Sequence, residues 1–234
     1  MRLDADAELA GQTALLISLG LPMLTGVGDG LSARGATVVE LDDARIAGSL
    51  AEIETVLAEA LGDVAPSLVV LSLLTPQSTA IGALAQTDLA TWKLAASEPI
   101  AIAMRVLTAL GQRMKPVGRG GIVFVAPSLS LVGGAGLVAL STALEGQRGL
   151  VKSVARQWGA SGVTLNWIAA APRALSSHFE TADLAAKGDA VPVALGVRPG
   201  ADQIAGLAAW LASPAGRGVT GSTQMIDGGE WMVP

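Results

Sequence analysis

Three residue types that often act as acids, bases or nucleophiles are absent from this sequence or nearly so. The chain has no cysteine and no tyrosine, and its single histidine is His178. Thiol nucleophiles, disulfides and phenolic proton donors are therefore excluded, and one histidine cannot build a histidine-rich metal site. The one cluster of acid, base and cation is Arg173, His178 and Glu180, which we interpret as ordinary polar residues of a loop. We expect no metal site.

Short apolar runs alternate with amphipathic stretches along the whole chain. The pattern predicts strands over residues 13–18, 37–41, 67–72, 122–126, 164–169 and 224–226, and helices over residues 24–34, 46–61, 99–114, 136–158 and 202–212. Apolar strands that alternate with helices are typical of a parallel sheet covered on both faces. We predict a single domain over residues 1–234, an α/β/α Rossmann-like doubly wound sheet whose ligands bind at the carboxyl ends of the strands.

The composition indicates buried surface beyond that of an ordinary monomer. Hydrophobic residues make up 51% of the 234 positions and charged residues only 15%, against roughly 25% charged in typical domains. We therefore expect another subunit to cover part of the surface. The net charge of −5 argues against a nucleic-acid partner. Long uncharged runs are interrupted by Pro, Gly and polar residues, so we expect no membrane span and a cytoplasmic protein.

The second half of the chain resembles the short-chain dehydrogenase/reductase (SDR) family. The resemblance lies in four motifs that follow in family order: Gly149-Leu150-Val151-Lys152-Ser153-Val154-Ala155-Arg156, Val163-Thr164-Leu165-Asn166-Trp167-Ile168-Ala169, Arg198-Pro199-Gly200 and Asp227-Gly228-Gly229. It implies a Rossmann-like fold, an NAD(P) cofactor and assembly into dimers or tetramers. The stretch between Asp42 and the third strand is too short for the family pattern. We expect a sheet abridged between the second strand and the following helix.

The cofactor motifs that the resemblance implies are degraded. The three glycines of the family's phosphate loop correspond to Ser18, Pro22 and Leu24, and a shifted alignment recovers only Gly20. Asp42 corresponds to the acid that often binds the ribose hydroxyls, although it could equally begin a turn or cap a helix. We therefore expect NAD(P) binding to be lost or weak, with Gly20 and Asp42 as vestiges. The glycines at 26, 28 and 30 are interpreted as close packing of a helix on the sheet.

The catalytic motifs that the resemblance implies are also degraded. The family's tyrosine and lysine correspond to Leu140 and Leu144, neither of which can transfer a proton. Ser128 corresponds to the catalytic serine, with Ser130 as the alternative. Scaffold motifs survive while cofactor and catalytic motifs are lost, so the sequence predicts a degenerate member of the family.

The most consistent function is that of a non-catalytic structural or regulatory subunit. It would assemble with an active SDR homologue through the helices Pro99–Met114 and Gly136–Trp158, which carry few charges. One alternative is an atypical SDR oxidoreductase that acts on a small or acyl substrate. A second is a non-redox relative of halohydrin-dehalogenase type. A third is a binding module with an apolar cleft lined by leucines, namely Leu24, Leu71, Leu73, Leu140 and Leu144.

Overall fold

The computed structural model describes residues 8–180 and 193–232. Six parallel strands form one sheet in the order β2-β1-β3-β4-β5-β6. They are β1 (Thr13–Ser18), β2 (Thr37–Leu41), β3 (Leu68–Ser72), β4 (Gly120–Pro127), β5 (Val163–Ala170) and β6 (Thr223–Ile226). The strand order reverses beside β1, where β2 lies on one side and β3 on the other. This reversal defines the switch point of a doubly wound sheet and confirms the predicted fold class.

The helices cover the sheet in two layers. They are α1 (Val27–Ser32), α2 (Leu50–Leu61), α3 (Leu89–Trp92), α4 (Glu98–Met114), α5 (Leu129–Val132), α6 (Val138–Trp158), α7 (Pro172–Leu175) and α8 (Ala201–Ala212). Helix α4 contacts both α2 and α6, and α1 packs against α8. The residues of β3 and almost all of β4 are buried, which explains their continuous apolar sequence.

The abridgement predicted after β2 is present. Asp42 and Asp43 lead directly into a short 3-10 helix, Ala44–Ala47, and then into α2. The next strand, β3, pairs with β1, so β2 is left at the edge of the sheet. The connection from β2 to β3 consequently consists of the 3-10 helix and α2.

Helix α1 begins later than predicted, and additional helical turns precede α4, whose own start at Glu98 agrees with the predicted start to within one residue. Helix α1 starts at Val27 because Gly26 adopts a left-handed conformation, with φ of +76°. The helical backbone before α4 starts at Leu89 instead of Pro99, and a π-helical turn over Lys93–Ser97 joins α3 to α4. Pro99 has no N–H and crowds the carbonyl four residues earlier, and a wider i→i+5 turn accommodates it.

One helical stretch, Leu89–Val117, is long and apolar enough to cross a membrane by length and composition. Within its 18-residue apolar window, 56% is buried against the rest of the chain. The buried residues of α4 belong to the hydrophobic core between the sheet and the neighbouring helices. The buried side of this stretch is therefore part of the core.

Candidate functional site

The carboxyl ends of β1, β2 and β3 surround two adjoining cavities. One, of about 430 Å³, is lined by residues that include Gly20, Asp42 and Thr75. The other, of about 220 Å³, is lined by residues that include Ser18, Leu24 and Asp42. Asp42 lines both cavities. This is the position at the switch point where doubly wound sheets bind their ligands.

A hydrogen bond joins the two residues that the sequence identified as cofactor vestiges. The Gly20 N–H donates to Asp42 Oδ1 over 2.8 Å. Gly20 has φ of +66°, a conformation that L side chains rarely adopt, so glycine is required for this turn. Asp42 Oδ2 has no hydrogen bond within the described part of the chain, so one carboxylate oxygen is left to accept a ligand's hydroxyl. Helix capping after β2 is performed by Asp43, whose side chain accepts from the Arg45 N–H.

The loop after β1 is lined by apolar side chains instead of glycines. Leu19, Leu21, Met23 and Leu24 are buried, with exposed fractions between 1% and 8%. Pro22 is exposed and has no N–H to offer a phosphate. The loop therefore presents fewer backbone donors than a glycine-rich phosphate loop would. What it keeps is the Gly20 turn and its bond to Asp42.

The glycines of α1 serve close packing, as the sequence predicted. A Cβ on Gly28 would lie 2.0 Å from Oε1 of Glu40, and one on Gly30 would lie 2.6 Å from Cβ of Ala205. These contacts bring α1 onto β2 and onto α8. Gly26 lies just before the helix instead of inside it.

The three candidate catalytic positions are all buried. Ser128 follows β4, is 0% exposed and has no hydrogen-bond partner for its Oγ among the described residues. Its backbone N–H donates to the Ala170 carbonyl, which fixes it beside the end of β5. Leu140 and Leu144 lie on α6, are each 0% exposed and belong to the hydrophobic core. They pack as core residues, and no proton donor stands at either position.

Gln147 is a buried polar residue whose role the sequence analysis missed. It is 1% exposed, and its Nε2 donates to the carbonyl oxygens of Leu73 at 2.8 Å and Pro99 at 3.2 Å. It thereby ties α6 to the chain after β3 and to the start of α4. Helical spacing could have identified it, because Gln147 is a polar residue on the apolar face that Leu140, Leu144 and Val151 form on α6.

The polar cluster in the loop after β5 is only partly described. Arg173 Nη1 lies 3.8 Å from Glu180 Oε1, which is a long ion pair between half-exposed side chains. The side chain of His178 lies outside the described residues. The leucines proposed to line an apolar cleft are packed in the core, with exposures of 0–1% for Leu71, Leu73, Leu140 and Leu144. Only Leu24, at 7%, borders one of the two cavities beside Asp42.

An ion-pair network stands at the outer rim of the larger cavity. Arg45 Nη2 lies 2.7 Å from Asp43 Oδ2 and 2.8 Å from Glu59 Oε2. Hydrogen bonds from Arg45 hold the pKa of both carboxyls below their ordinary values. In residues 8–180 and 193–232, no three His, Asp or Glu side chains are grouped to hold a metal ion.

Comparison with known proteins decides the family. A family model described as enoyl-(acyl carrier protein) reductase matches residues 32–230. The chain belongs to the short-chain dehydrogenase/reductase family.

Two curated relatives match the SDR chain over part of its length. A 2-dehydro-3-deoxy-D-gluconate 5-dehydrogenase of Bacillus subtilis (strain 168) is 33% identical over 130 residues, or 54% of this chain and 51% of the relative. A 3-oxoacyl-[acyl-carrier-protein] reductase of Vibrio cholerae serotype O1 is 31% identical over 135 residues, or 55% of this chain and 53% of the relative. The matches therefore span about half of each relative's length.

Solved structures share the fold over nearly the whole chain. A protein described as an NAD(P)-dependent gluconate 5-dehydrogenase of Beutenbergia cavernae, with NADP bound at low occupancy, has a TM-score of 0.81 at 21% identity over 97% of this chain and 98% of its own. A 7α-hydroxysteroid dehydrogenase in complex with NADH and 7-oxo glycochenodeoxycholic acid has a TM-score of 0.78 at 15% identity, and the match covers 98% of each chain.

These structures contradict the expectation that no cofactor binds. Both carry a nicotinamide dinucleotide on the fold that this chain adopts. The expectation was wrong because it rested on the residue types in the loop after β1. The shape of the cleft depends on strand order and on backbone geometry, which the residue types of that loop do not determine. Gly20 and Asp42 still meet at the rim of that cleft.

Proposed function

We propose that this chain is an SDR-family subunit that binds a nicotinamide dinucleotide and does not itself carry out tyrosine-dependent hydride transfer. It would act as a structural or regulatory subunit assembled with an active homologue. The observation that carries the proposal is the burial of Leu140 and Leu144 at the positions that resemble the family's tyrosine and lysine. A single domain over residues 1–234 and a cytoplasmic location belong to the same proposal.

The adenosine half of the cofactor fits the cavities beside Asp42. A carboxylate at the end of the second strand accepts hydrogen bonds from the ribose hydroxyls. Asp42 has Oδ2 available for that bond while Oδ1 holds the Gly20 turn. The same negative charge disfavours the 2′-phosphate of NADP, because two negative groups would lie in contact. We therefore propose NAD(H) as the preferred dinucleotide.

The chemical half of the site supports binding without turnover. A bound nicotinamide supplies the hydride donor or acceptor. A carbonyl that accepts hydride also needs a proton, and general acids such as tyrosine provide it. The chain has no tyrosine, and Ser128 is fully buried. Nothing within the described residues stands ready to donate that proton.

The assembly part of the proposal is supported by α4 and α6. Between them lies an open, mostly apolar depression of about 580 Å³ that includes Ile100, Val138 and Thr142. Met104 on α4 is 53% exposed, and Val138 on α6 is 38% exposed. Exposed apolar side chains on adjoining helices are typical of surfaces that meet another subunit. An active homologue would carry the tyrosine and lysine that are replaced here by Leu140 and Leu144.

Two measurements on the purified chain test the proposal. Calorimetric titration with NADH and NADPH should show micromolar binding of NADH and weaker binding of NADPH. Incubation with NADH and a panel of ketones and oxoacyl thioesters should show no NADH oxidation above the buffer rate. Failure to bind NADH at millimolar concentration would contradict the proposal that this chain binds the dinucleotide. Sustained oxidation of NADH by this chain alone would contradict the proposal that it is non-catalytic.

Co-expression tests the subunit part separately. An active SDR homologue encoded beside this chain should co-purify with it in a defined ratio through gel filtration. Dehydrogenase activity should be found in the complex and not in this chain alone. Recovery of each chain only as a separate species would overturn the subunit assignment.

A further inference from the structure

A second polar cavity lies at the amino ends of the strands, whereas Asp42 lies at their carboxyl ends. It has a volume of about 290 Å³ and is bordered by residues at the amino ends of β1, β3, β4 and β5. Strand β4 has eight residues, so its amino and carboxyl ends lie about 26 Å apart at roughly 3.3 Å per residue. A ligand in this cavity would not overlap one in the cofactor cleft.

Two arginines border this cavity and no carboxylate does. Arg119 stands just before β4, and Arg217 follows α8. Six other arginines, Arg34, Arg45, Arg105, Arg148, Arg173 and Arg198, lie within ion-pair distance of a carboxylate. Arg119 and Arg217 have neither an ion pair nor a side-chain hydrogen bond within the described part of the chain. In a protein of net charge −5, two uncompensated guanidiniums at one cavity form a local anion-attracting site.

Neutral donors stand at the same cavity. Ser67 and Thr164 border it, and their hydroxyls make no hydrogen bond within residues 8–180 and 193–232. The amide of Gln12 also borders it, and its one contact is a marginal 3.5 Å bond to the Glu8 carbonyl. A hydroxyl can donate to an oxyanion as readily as to water. The cavity therefore combines positive charge with donors that are not otherwise engaged.

The backbone beside Arg119 is held by close packing. A Cβ on Gly162 would lie 2.1 Å from the carbonyl oxygen of Gly118, so the turn before β5 contacts the turn before β4 backbone to backbone. Gly118 and Gly162 have φ of +74° and +71°, which favours glycine at both turns. The position from which the Arg119 side chain extends is therefore fixed.

We propose that this cavity binds a phosphate group, either as inorganic phosphate or as part of a small phosphorylated molecule. Guanidinium groups bind phosphate oxygens through paired, charge-assisted hydrogen bonds. The volume lies at the lower limit of the roughly 300–1,000 Å³ typical of small-molecule pockets, which suits a small anion. The site is independent of NAD(H) binding and of the activity of the SDR cleft.

Calorimetry and thermal unfolding with inorganic phosphate, pyrophosphate and malonate test the proposal, with chloride at matched ionic strength as the reference. Phosphate or pyrophosphate should bind and raise the unfolding temperature. The variant Arg119→Ala/Arg217→Ala should bind about tenfold more weakly or worse. Arg156→Ala is the matched control, because Arg156 is exposed on α6 and does not line the cavity. It should bind like the unmodified chain.

Several results would overturn the phosphate site. The first is that phosphate and pyrophosphate raise the unfolding temperature no more than chloride does. The second is that they raise it equally in the double variant and the unmodified chain. The third is that malonate alone binds. The single variants Arg119→Gln and Arg217→Gln repeat the measurement should the double variant fail to fold, and each should weaken binding. Saturating NADH should leave phosphate affinity unchanged, and competition between the two would place the anion in the cofactor cleft and overturn the assignment.

Discussion

Leu140 is the residue on which the proposed lack of catalysis depends. It stands where the family's proton donor is expected, and it is fully buried among other core side chains. A leucine that lines an open active site and a leucine that fills a core respond differently to truncation. Only the truncation of a core leucine leaves a cavity, and that cavity lowers the free energy of unfolding.

We expect Leu140→Ala to lower the free energy of unfolding by about 2–5 kcal/mol, the cost of truncating a leucine within a packed core. Urea unfolding measures it. Val64→Ala, at a position 49% exposed after α2, is the control and should cost much less. A loss for Leu140→Ala no larger than that control would mean that Leu140 borders an open cleft.

Asp42 is the residue on which cofactor preference depends. Asp42→Asn keeps an oxygen to accept from the Gly20 N–H, so the turn and the thermal stability should be retained. It removes the charge, so affinity for NADH should fall about tenfold. The preference for NADH over NADPH should also shrink. Calorimetric titration of both dinucleotides checks this, with Asp63→Asn, at an exposed position after α2, as the control. An unchanged preference would show that Asp42 does not contact the ribose.

The Gly20–Asp42 contact also shows where sequence reasoning stops at this scale. Both residues could be singled out from their positions after apolar strands. Their hydrogen bond depends on the pairing of β1 with β2, in which Ile17 is opposite Leu41. Such a register is set by packing across the sheet and has no local signal in the sequence.

At the scale of elements, the strands were predictable and several helix starts were not. Buried parallel strands appear as short apolar runs, and all six predicted strands are present within two residues of their expected ends. The start of α1 depends on the left-handed turn at Gly26, and the helical backbone that precedes α4 depends on the π-helical turn over Lys93–Ser97. These features reflect backbone geometry that hydrophobic periodicity does not encode.

The short helix after β2 is tied to α2 by charge, which predicts a pH dependence. The folded-state pKa values of Asp43 and Glu59 are below their unfolded values because each accepts from Arg45. Near and below pH 4 the unfolded state therefore binds more protons than the folded state. The contribution of this network is present at neutral pH and is lost as the pH falls through the folded pKa values.

Arg45→Gln should consequently destabilise the protein more at pH 7 than at pH 3. Urea unfolding at both pH values measures the difference, and 1 M NaCl should reduce it, because the side chains are exposed and salt screens them. Arg156→Gln, which removes an exposed arginine with no carboxylate partner among the described residues, is the control. Equal destabilisation by Arg45→Gln at the two pH values would contradict a stabilising role for the network.

For the whole molecule, the sequence alone predicted the fold and the family but misjudged the cofactor. The fold is specified redundantly by many apolar positions, so a few different residues in one loop leave it intact. Cofactor binding depends on the cleft that strand order creates, and that cleft persists beside Asp42 although the glycines of the loop have changed. The residue types of the loop therefore led to an expectation that the NADP-bound and NADH-bound structures of the same fold contradict.

Assembly is the remaining property of the whole molecule, and α6 offers the position that tests it. Thr142 borders the apolar depression between α4 and α6 and is half-buried. Thr142→Arg would place a long cation in a surface that must lose its water on association, and an unpaired buried charge is strongly unfavourable. We expect sedimentation velocity to show a dimer or tetramer for the unmodified chain, alone or with its homologue, and a shift to the monomer for Thr142→Arg. Thr55→Arg, at an exposed position on α2, should leave the assembly unchanged. Equal sedimentation of both variants and the unmodified chain would show that α4 and α6 do not form the interface.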